Sequence, residues 1–234
     1  MPHETIKSFH NYERQYALVL SRIFPEKYPR DFTQKHGRQG RPFNLTPSNR
    51  AVIEKYRTHL ENEGGSSLAR RKRILILIAN IAELLGTDFE TATREDIEKL
   101  VSKIMNHPNW NETTKAMHKQ TLKSFYRWFK GNSDFFPEIV RWIKCIKRSG
   151  SNKLPEEMLS EEEVQKIIEA ADHPMKRALI STLWETGARI GELGSANIRN
   201  IQFDGTEATI MLNGKTGMRQ VLLLSSTPFL RDWI

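Results

Sequence analysis

The reading of this chain turns on Glu185-Thr186-Gly187-Ala188-Arg189-Ile190-Gly191-Glu192-Leu193, followed further on by Asn213-Gly214-Lys215-Thr216-Gly217. Gly187 ends an apolar helical pattern, so Arg189 falls just beyond a helix terminus, in a stretch otherwise made of small and apolar residues. A guanidinium in that setting can offer its planar fork to two oxygens of one phosphate. It can equally bridge helix ends or pair with Glu192, three residues on. Lys215 occupies a tight turn between two short apolar runs, where a lysine is ordinarily just solvated. Such a lysine can also reach a bound ligand and donate a proton to a departing oxygen. Gly214-Lys215-Thr216 imitates the end of a phosphate-binding P-loop, but the earlier glycine that motif needs falls at Thr209, which rules it out.

Outward from this stretch, the pattern downstream of Ile198 changes from helical to alternating. Runs at 198–203, 208–212 and 220–224, broken at Asp204-Gly205 and at Gly214 to Gly217, predict a three-stranded antiparallel sheet. Thr227-Pro228 opens a further helix. Upstream, Ser160 with Glu163 forms a capping box for one helix, and Pro174 starts the next, which Gly187 closes. Before these, Ser149-Gly150-Ser151-Asn152-Lys153-Leu154-Pro155 interrupts the periodicity and marks a linker at 149–157.

The segment 47–148 is expected to be a helical bundle. Thr46-Pro47 caps a helix running to about residue 63, with Val52, Ile53, Tyr56 and Leu60 inward, and Gly64-Gly65 stops it. Ser66-Ser67 opens the next, closed by Gly86. Thr93 with Asp96 caps a third and Asn111 a fourth, and a fifth is expected over 137–148. Residues 1–46 read as a basic N-terminal extension: a short helix over 4–24, then a loop in which Lys27, Arg30, Lys35, Arg38 and Arg41 alternate with Pro and Gly.

The formal charge of +8 points to a polyanionic partner, and its placement is informative. Residues 1–46 carry 8 Lys+Arg against 4 Asp+Glu, residues 47–150 carry 19 against 12, and residues 151–234 carry 9 against 12. The basic excess therefore precedes the linker. Arg70, Arg71 and Arg73 cluster in the first turns of the second bundle helix. Lys115, Lys119, Lys123 and Arg127 recur every four residues and form one stripe on the fourth. A stripe of this kind is commonly a solvated face. Here no acidic residue follows any of the lysines at the i+4 position to neutralise it, which favours contact with a DNA backbone. His107 and His118 show no ligand spacing and read as surface histidines. The longest apolar run, 74–79, is too short to cross a bilayer, and the start of the chain lacks a secretory pattern. The single cysteine, Cys145, cannot form an internal disulfide. Together these suggest a cytoplasmic setting.

The segment from Thr186 to Leu193, followed by a three-stranded sheet with Gly214-Lys215 in its second turn, resembles the start of the catalytic domain of tyrosine recombinases, the phage-integrase and Xer-like family. The preceding bundle is similar to their SAM-like core-binding domain. The resemblance covers about residues 47–234 and implies a mainly α fold with a small antiparallel sheet. The core-binding domain would occupy 47–148, and the first part of the catalytic domain 158–234. It implies that Arg189 binds the non-bridging oxygens of a scissile phosphate, that Lys215 acts as general acid toward the 5′-hydroxyl leaving group, and that Glu192 orients its neighbours. It also implies a DNA-backbone contact for Arg219, duplex DNA as partner, self-association of the full protein on DNA, and no metal or nucleotide cofactor. The family's His-x-x-Arg pair and nucleophilic tyrosine belong after Ile234. Tyr12, Tyr16, Tyr28, Tyr56 and Tyr126 all precede Arg189, so the chain as given is not expected to cleave DNA. Two other readings predict different behaviour. A non-catalytic DNA-binding protein of the same fold would bind DNA with steep salt dependence, whereas a helical adaptor for other proteins would ignore DNA.

Overall fold

The computed structural model describes residues 12–29, 40–131, 134–145, 158–214 and 217–234. They fall into two compact units, one ending and the other beginning within 146–157.

The first unit is all helical: α1 (Tyr12–Ile23), α2 (Pro47–Asn62), α3 (Leu68–Leu85), α4 (Arg94–Met105), α5 (Glu112–Phe129) and the single turn α6 (Glu138–Arg141). The helix starts are where small polar residues satisfy the free N–H groups of the first turn. Thr46, Ser67, Thr93 and Asn111 each accept a hydrogen bond from the N–H three residues on, and Asp96 returns the bond to complete the capping box. α3 is the central helix. Its Leu75, Ile78 and Ile81 are fully buried, and α1, α2, α4 and α5 all pack on it. Full burial of each such side chain contributes about 1.5–3 kcal/mol. Phe89, Phe125 and Tyr126 complete the core, and the Tyr126 hydroxyl donates to the Phe89 carbonyl at 3.2 Å, so the phenol is buried at little polar cost. Buried Asn49 spans the loop after α3, donating to Thr87 O and accepting from Phe89 N, both at 2.9 Å.

Two expectations are corrected here. The described part of 1–46 is not an extension apart from the bundle: Val19, Leu20, Ile23, Phe24, Phe43 and Leu45 lie in the same core as Ile53 and Ile78. The basic loop residues in view are tied down, with Lys27 on Glu54 and Arg41 on Glu83, both at 2.6 Å. Residues 4–11, Arg30, Lys35 and Arg38 lie outside the described residues. The helix expected over 137–148 is the second correction. It stops after Arg141, and the carbonyls of Ile143 and Lys144 accept from Lys123 and Lys119 of α5.

The second unit contains α7 (Glu161–Ala170), α8 (Pro174–Thr186), the short α9 (Ile190–Gly194), a 3-10 turn (Ile198–Asn200), strands β1 (Ile201–Asp204), β2 (Glu207–Gly214) and β3 (Gly217–Leu223), and α10 (Thr227–Trp233). The sheet is antiparallel in the order β1-β2-β3, as the sequence pattern predicts. Ala208, Ile210 and Leu212 alternate along β2 and are all buried with Leu223, Ala178 and Leu230. Residues 198–200 are not strand, because Asn200 folds back: its side chain accepts from Asn197 N at 2.9 Å while its own N–H donates to Asn197 O. No helix among the described residues is long and apolar enough to cross a membrane.

Candidate functional site

α8 ends at Gly187, whose φ of 57° is the left-handed conformation that residues with a Cβ resist, and its N–H closes the helix on Leu183 O. Two residues later Arg189 begins α9. Its Nη1 donates to Glu192 Oε1 at 2.7 Å, and its backbone N–H makes a longer contact of 3.4 Å to Glu192 Oε2. The other oxygen of Glu192 accepts from Arg219 Nη2 of β3 at 2.8 Å. One carboxylate thus joins two arginines that are 30 positions apart in the chain. The two guanidiniums hold the Glu192 carboxyl well below its usual range, against an opposing contribution from desolvation.

Exposure separates the roles. The Glu192 side chain is 5% exposed and that of Arg189 68%. A guanidinium has five N–H donors, and Arg189 uses one of them on Glu192, so most of its fork stays open to an anionic ligand. Glu192 also lies on the hairpin. A Cβ added at Gly214 would come 2.8 Å from the Glu192 carboxyl carbon, so any larger residue at the end of β2 would have to push that carboxylate aside. Gly214 pairs with Gly217 at the start of β3. Lys215 and Thr216, which connect them, lie outside the described residues, so the residue expected to act as general acid has no structural description.

Sequence reasoning missed Glu185. Its carboxylate accepts from the backbone N–H groups of Leu224 (2.6 Å), Ser225 (3.0 Å) and Ser226 (2.9 Å) and from the Ser226 hydroxyl, at the turn from β3 into α10. Burial opposes ionisation of Glu185, but these bonds outweigh it and lower its pKa. Glu185 and Glu192 therefore fasten β3 near its two ends, to either side of Arg189 in the chain. The signal available was a helix start at Ser226-Thr227-Pro228, which favours a carboxylate without saying which one.

In the bundle, Arg70, Arg73 and Arg127 line a cleft of about 1020 Å³ formed by the end of α2, the start of α3 and one face of α5. Arg71 is not on that cleft, and its Nε is buried with no hydrogen-bond partner among the described residues. The lysines of the stripe are engaged within the unit. Lys115 pairs with Glu112 at 3.1 Å, an acidic partner three residues before it rather than four after. Lys119 donates to Lys144 O at 3.0 Å, and Lys123 donates to Ile143 O at 2.9 Å and lies over the Phe136 ring. These ammonium groups bind the carbonyls that α6 leaves unpaired at its end. Of the stripe, Arg127 alone is exposed; it lies 5.2 Å over the Phe136 ring and lines the cleft.

His118 differs from expectation, whereas His107 is partly exposed. His118 is 1% exposed. Trp110 is sandwiched between His107 and His118, with ring centroids 3.9 Å apart on each side. His118 Nδ1 lies 2.8 Å from Thr114 O, so it carries the proton, and Nε2 is left buried without a partner among the described residues.

No family model matches the chain. It is 25% identical over 179 residues to the tyrosine recombinase XerA of Pyrococcus horikoshii, an alignment covering 76% of this chain and 58% of that protein. It is 24% identical over 187 residues to the tyrosine recombinase XerD of Bifidobacterium longum, covering 75% of this chain and 59% of the relative. The fold is that of XerH site-specific recombinase in its post-cleavage complex with palindromic difH and in its pre-cleavage complex with difH. The TM-scores are 0.55 and 0.54, each at 17% identity, covering 99% of this chain and 70% of XerH. The chain is a relative of the tyrosine recombinases and has their fold.

It spans less than two thirds of the length of those two sequence relatives. For a tyrosine recombinase relative the placement of its own tyrosines matters, and all five lie in the unit that does not contain Arg189. Burial pushes the Tyr56 phenol up to about 12 and raises that of Tyr126 further, and the Tyr16 hydroxyl donates to Glu61. Burial is the first cause of the rise in all three.

Proposed function

We propose that this chain is the DNA-binding and phosphate-activating part of a site-specific tyrosine recombinase or integrase. The carrying observation is the Arg189–Glu192–Arg219 cluster closed by Gly214, in a chain related to recombinases. Arg189 is exposed yet anchored, which suits a group that meets the non-bridging oxygens of a phosphodiester and stabilises charge as the transition state forms. Glu192 sets its orientation. Arg219 shares that carboxylate, so it supports the site as well as offering charge to a DNA backbone. Lys215, which follows Gly214, is the general acid for the leaving 5′-hydroxyl. Strand cleavage through a 3′-phosphotyrosyl intermediate uses a tyrosine that is none of the five in this chain. Transesterification conserves the energy of the bond it breaks, so the chemistry calls for no metal or nucleotide.

The helical unit is the core-binding domain, and the second unit is the beginning of the catalytic domain. Both meet duplex DNA in this reading, Arg70, Arg73 and Arg127 through phosphates, and the complete protein assembles as several copies on its site in the cytoplasm. Titrating the 234-residue chain with duplex DNA at several salt concentrations tests the binding. Log affinity is expected to fall linearly with log salt, and alanine at each of the three arginines to reduce the slope by about 1. Binding that is absent or indifferent to salt would sink the proposal. Reading the coding sequence past Ile234 tests the chemistry. A tyrosine downstream of a His-x-x-Arg pair supports the enzyme, whereas a stop codon without one leaves a non-catalytic DNA-binding protein of the same fold.

A further inference from the structure

α5 presents two faces of different character. The lysine face is spent on the carbonyls after α6 and on Glu112. The face toward the cleft carries Gln120, Thr121 and Ser124, which three- and four-residue spacing places together. Among the described residues, none of these three side chains has a hydrogen-bond partner in the protein. They form a strip of unpaired amide and hydroxyl groups with Arg127 on the same helix and Arg70 and Arg73 on α3. Glu63 is the acidic residue lining the cleft, 3.5 Å from His59 Nε2.

Charged and neutral side chains divide the work at a nucleic-acid surface. Arginines facing phosphates hold the duplex in register without reading it. Neutral side chains with both donors and acceptors can discriminate base edges. An amide left without an internal partner carries a donor and an acceptor in the spacing that adenine presents at N7 and N6 in the major groove.

From this we infer that Gln120, with Thr121 and Ser124 beside it, is a specificity-determining residue that reads base edges, Gln120 selecting adenine. The inference rests on the reading of the bundle as a duplex-DNA-binding unit. It moves recognition from the lysine stripe to a neighbouring face of the same helix.

The test is selection by the 234-residue chain from a pool of duplexes randomised in sequence, followed by affinities at one fixed salt concentration for the selected duplex and its single-base variants. Adenine is expected at one position, its replacement costing on the order of ten-fold in affinity. Gln120→Ala should erase that difference at that position alone, with an unchanged melting temperature and an unchanged salt slope. Arg73→Ala should instead weaken all duplexes equally and lower the slope by about 1. Salt-dependent binding without sequence preference, or a preference that survives Gln120→Ala, overturns this inference and leaves the DNA reading standing. Absence of duplex binding overturns both.

Discussion

At the residue scale, the contacts around Arg189 show which parts of the site are visible in sequence. Arg189 and Glu192 are three residues apart, and their possible pairing follows from spacing alone. Arg219 and Gly214 join the same carboxylate from 27 and 22 positions away, and nothing local announces that. The close approach of the Glu192 carboxylate to Gly214 is testable. Gly214→Ala must push the Glu192 carboxylate off the strand, at a cost of about 1–3 kcal/mol. The expected result is a lower melting temperature for the second unit. An unchanged melting curve would mean that Glu192 moves aside freely and does not register the hairpin against Arg189. Glu185→Gln makes a related point, since the amide keeps the shape but its nitrogen cannot accept the N–H groups it would face. Its loss should destabilise the unit at neutral pH, and chemical denaturation of wild type and variant side by side would show it.

Elements with strong boundary chemistry were legible. Thr46, Ser67, Thr93, Asn111 and Ser160 each cap a helix as their sequence context predicts, because a cap is decided within four residues. The segment after Pro137 was not, because what ends α6 lies on another helix. The apolar spacing of Val140 and Ile143 survives, but the backbone carbonyls beyond Arg141 take side-chain donors from Lys119 and Lys123. The same contacts show how the like charges of the lysine stripe are accommodated: their repulsion is relieved by Glu112 and by carbonyl dipoles inside the protein. Lys123→Met keeps the aliphatic stem and removes the ammonium. It is expected to destabilise the bundle by about 1–2 kcal/mol, the worth of partly exposed bonds from a charged donor, while changing DNA affinity less than Arg127→Ala does. The opposite ranking in a binding titration, with no change in stability, would restore the stripe as a DNA contact.

At the scale of the whole molecule, the two units carry different titrating groups and should answer acid at different pH. In the bundle, burial pushes the His118 imidazole below the usual histidine value of about 6.5. The bond to Thr114 O opposes this in part, and His107 adds to it. A base whose folded pKa is depressed binds its proton first in the unfolded chain. The contribution of neutral His118 is therefore fully present above about pH 6.5 and is lost as pH falls toward the folded value. In the second unit Glu185 and Glu192 are depressed from a carboxylate value of about 4.3, so their contribution holds through pH 5 and declines only below that value. Melting curves of the full chain between pH 7 and pH 5 should accordingly show the bundle weakening while the second unit keeps its midpoint. His118→Phe, which retains a ring to stack on Trp110, should flatten the bundle's slope across that interval and leave the behaviour below pH 4.3 unaltered. A bundle transition indifferent to pH from 7 to 5 would show that His118 accepts its proton in place, and the unpaired Nε2 would then carry no energetic cost.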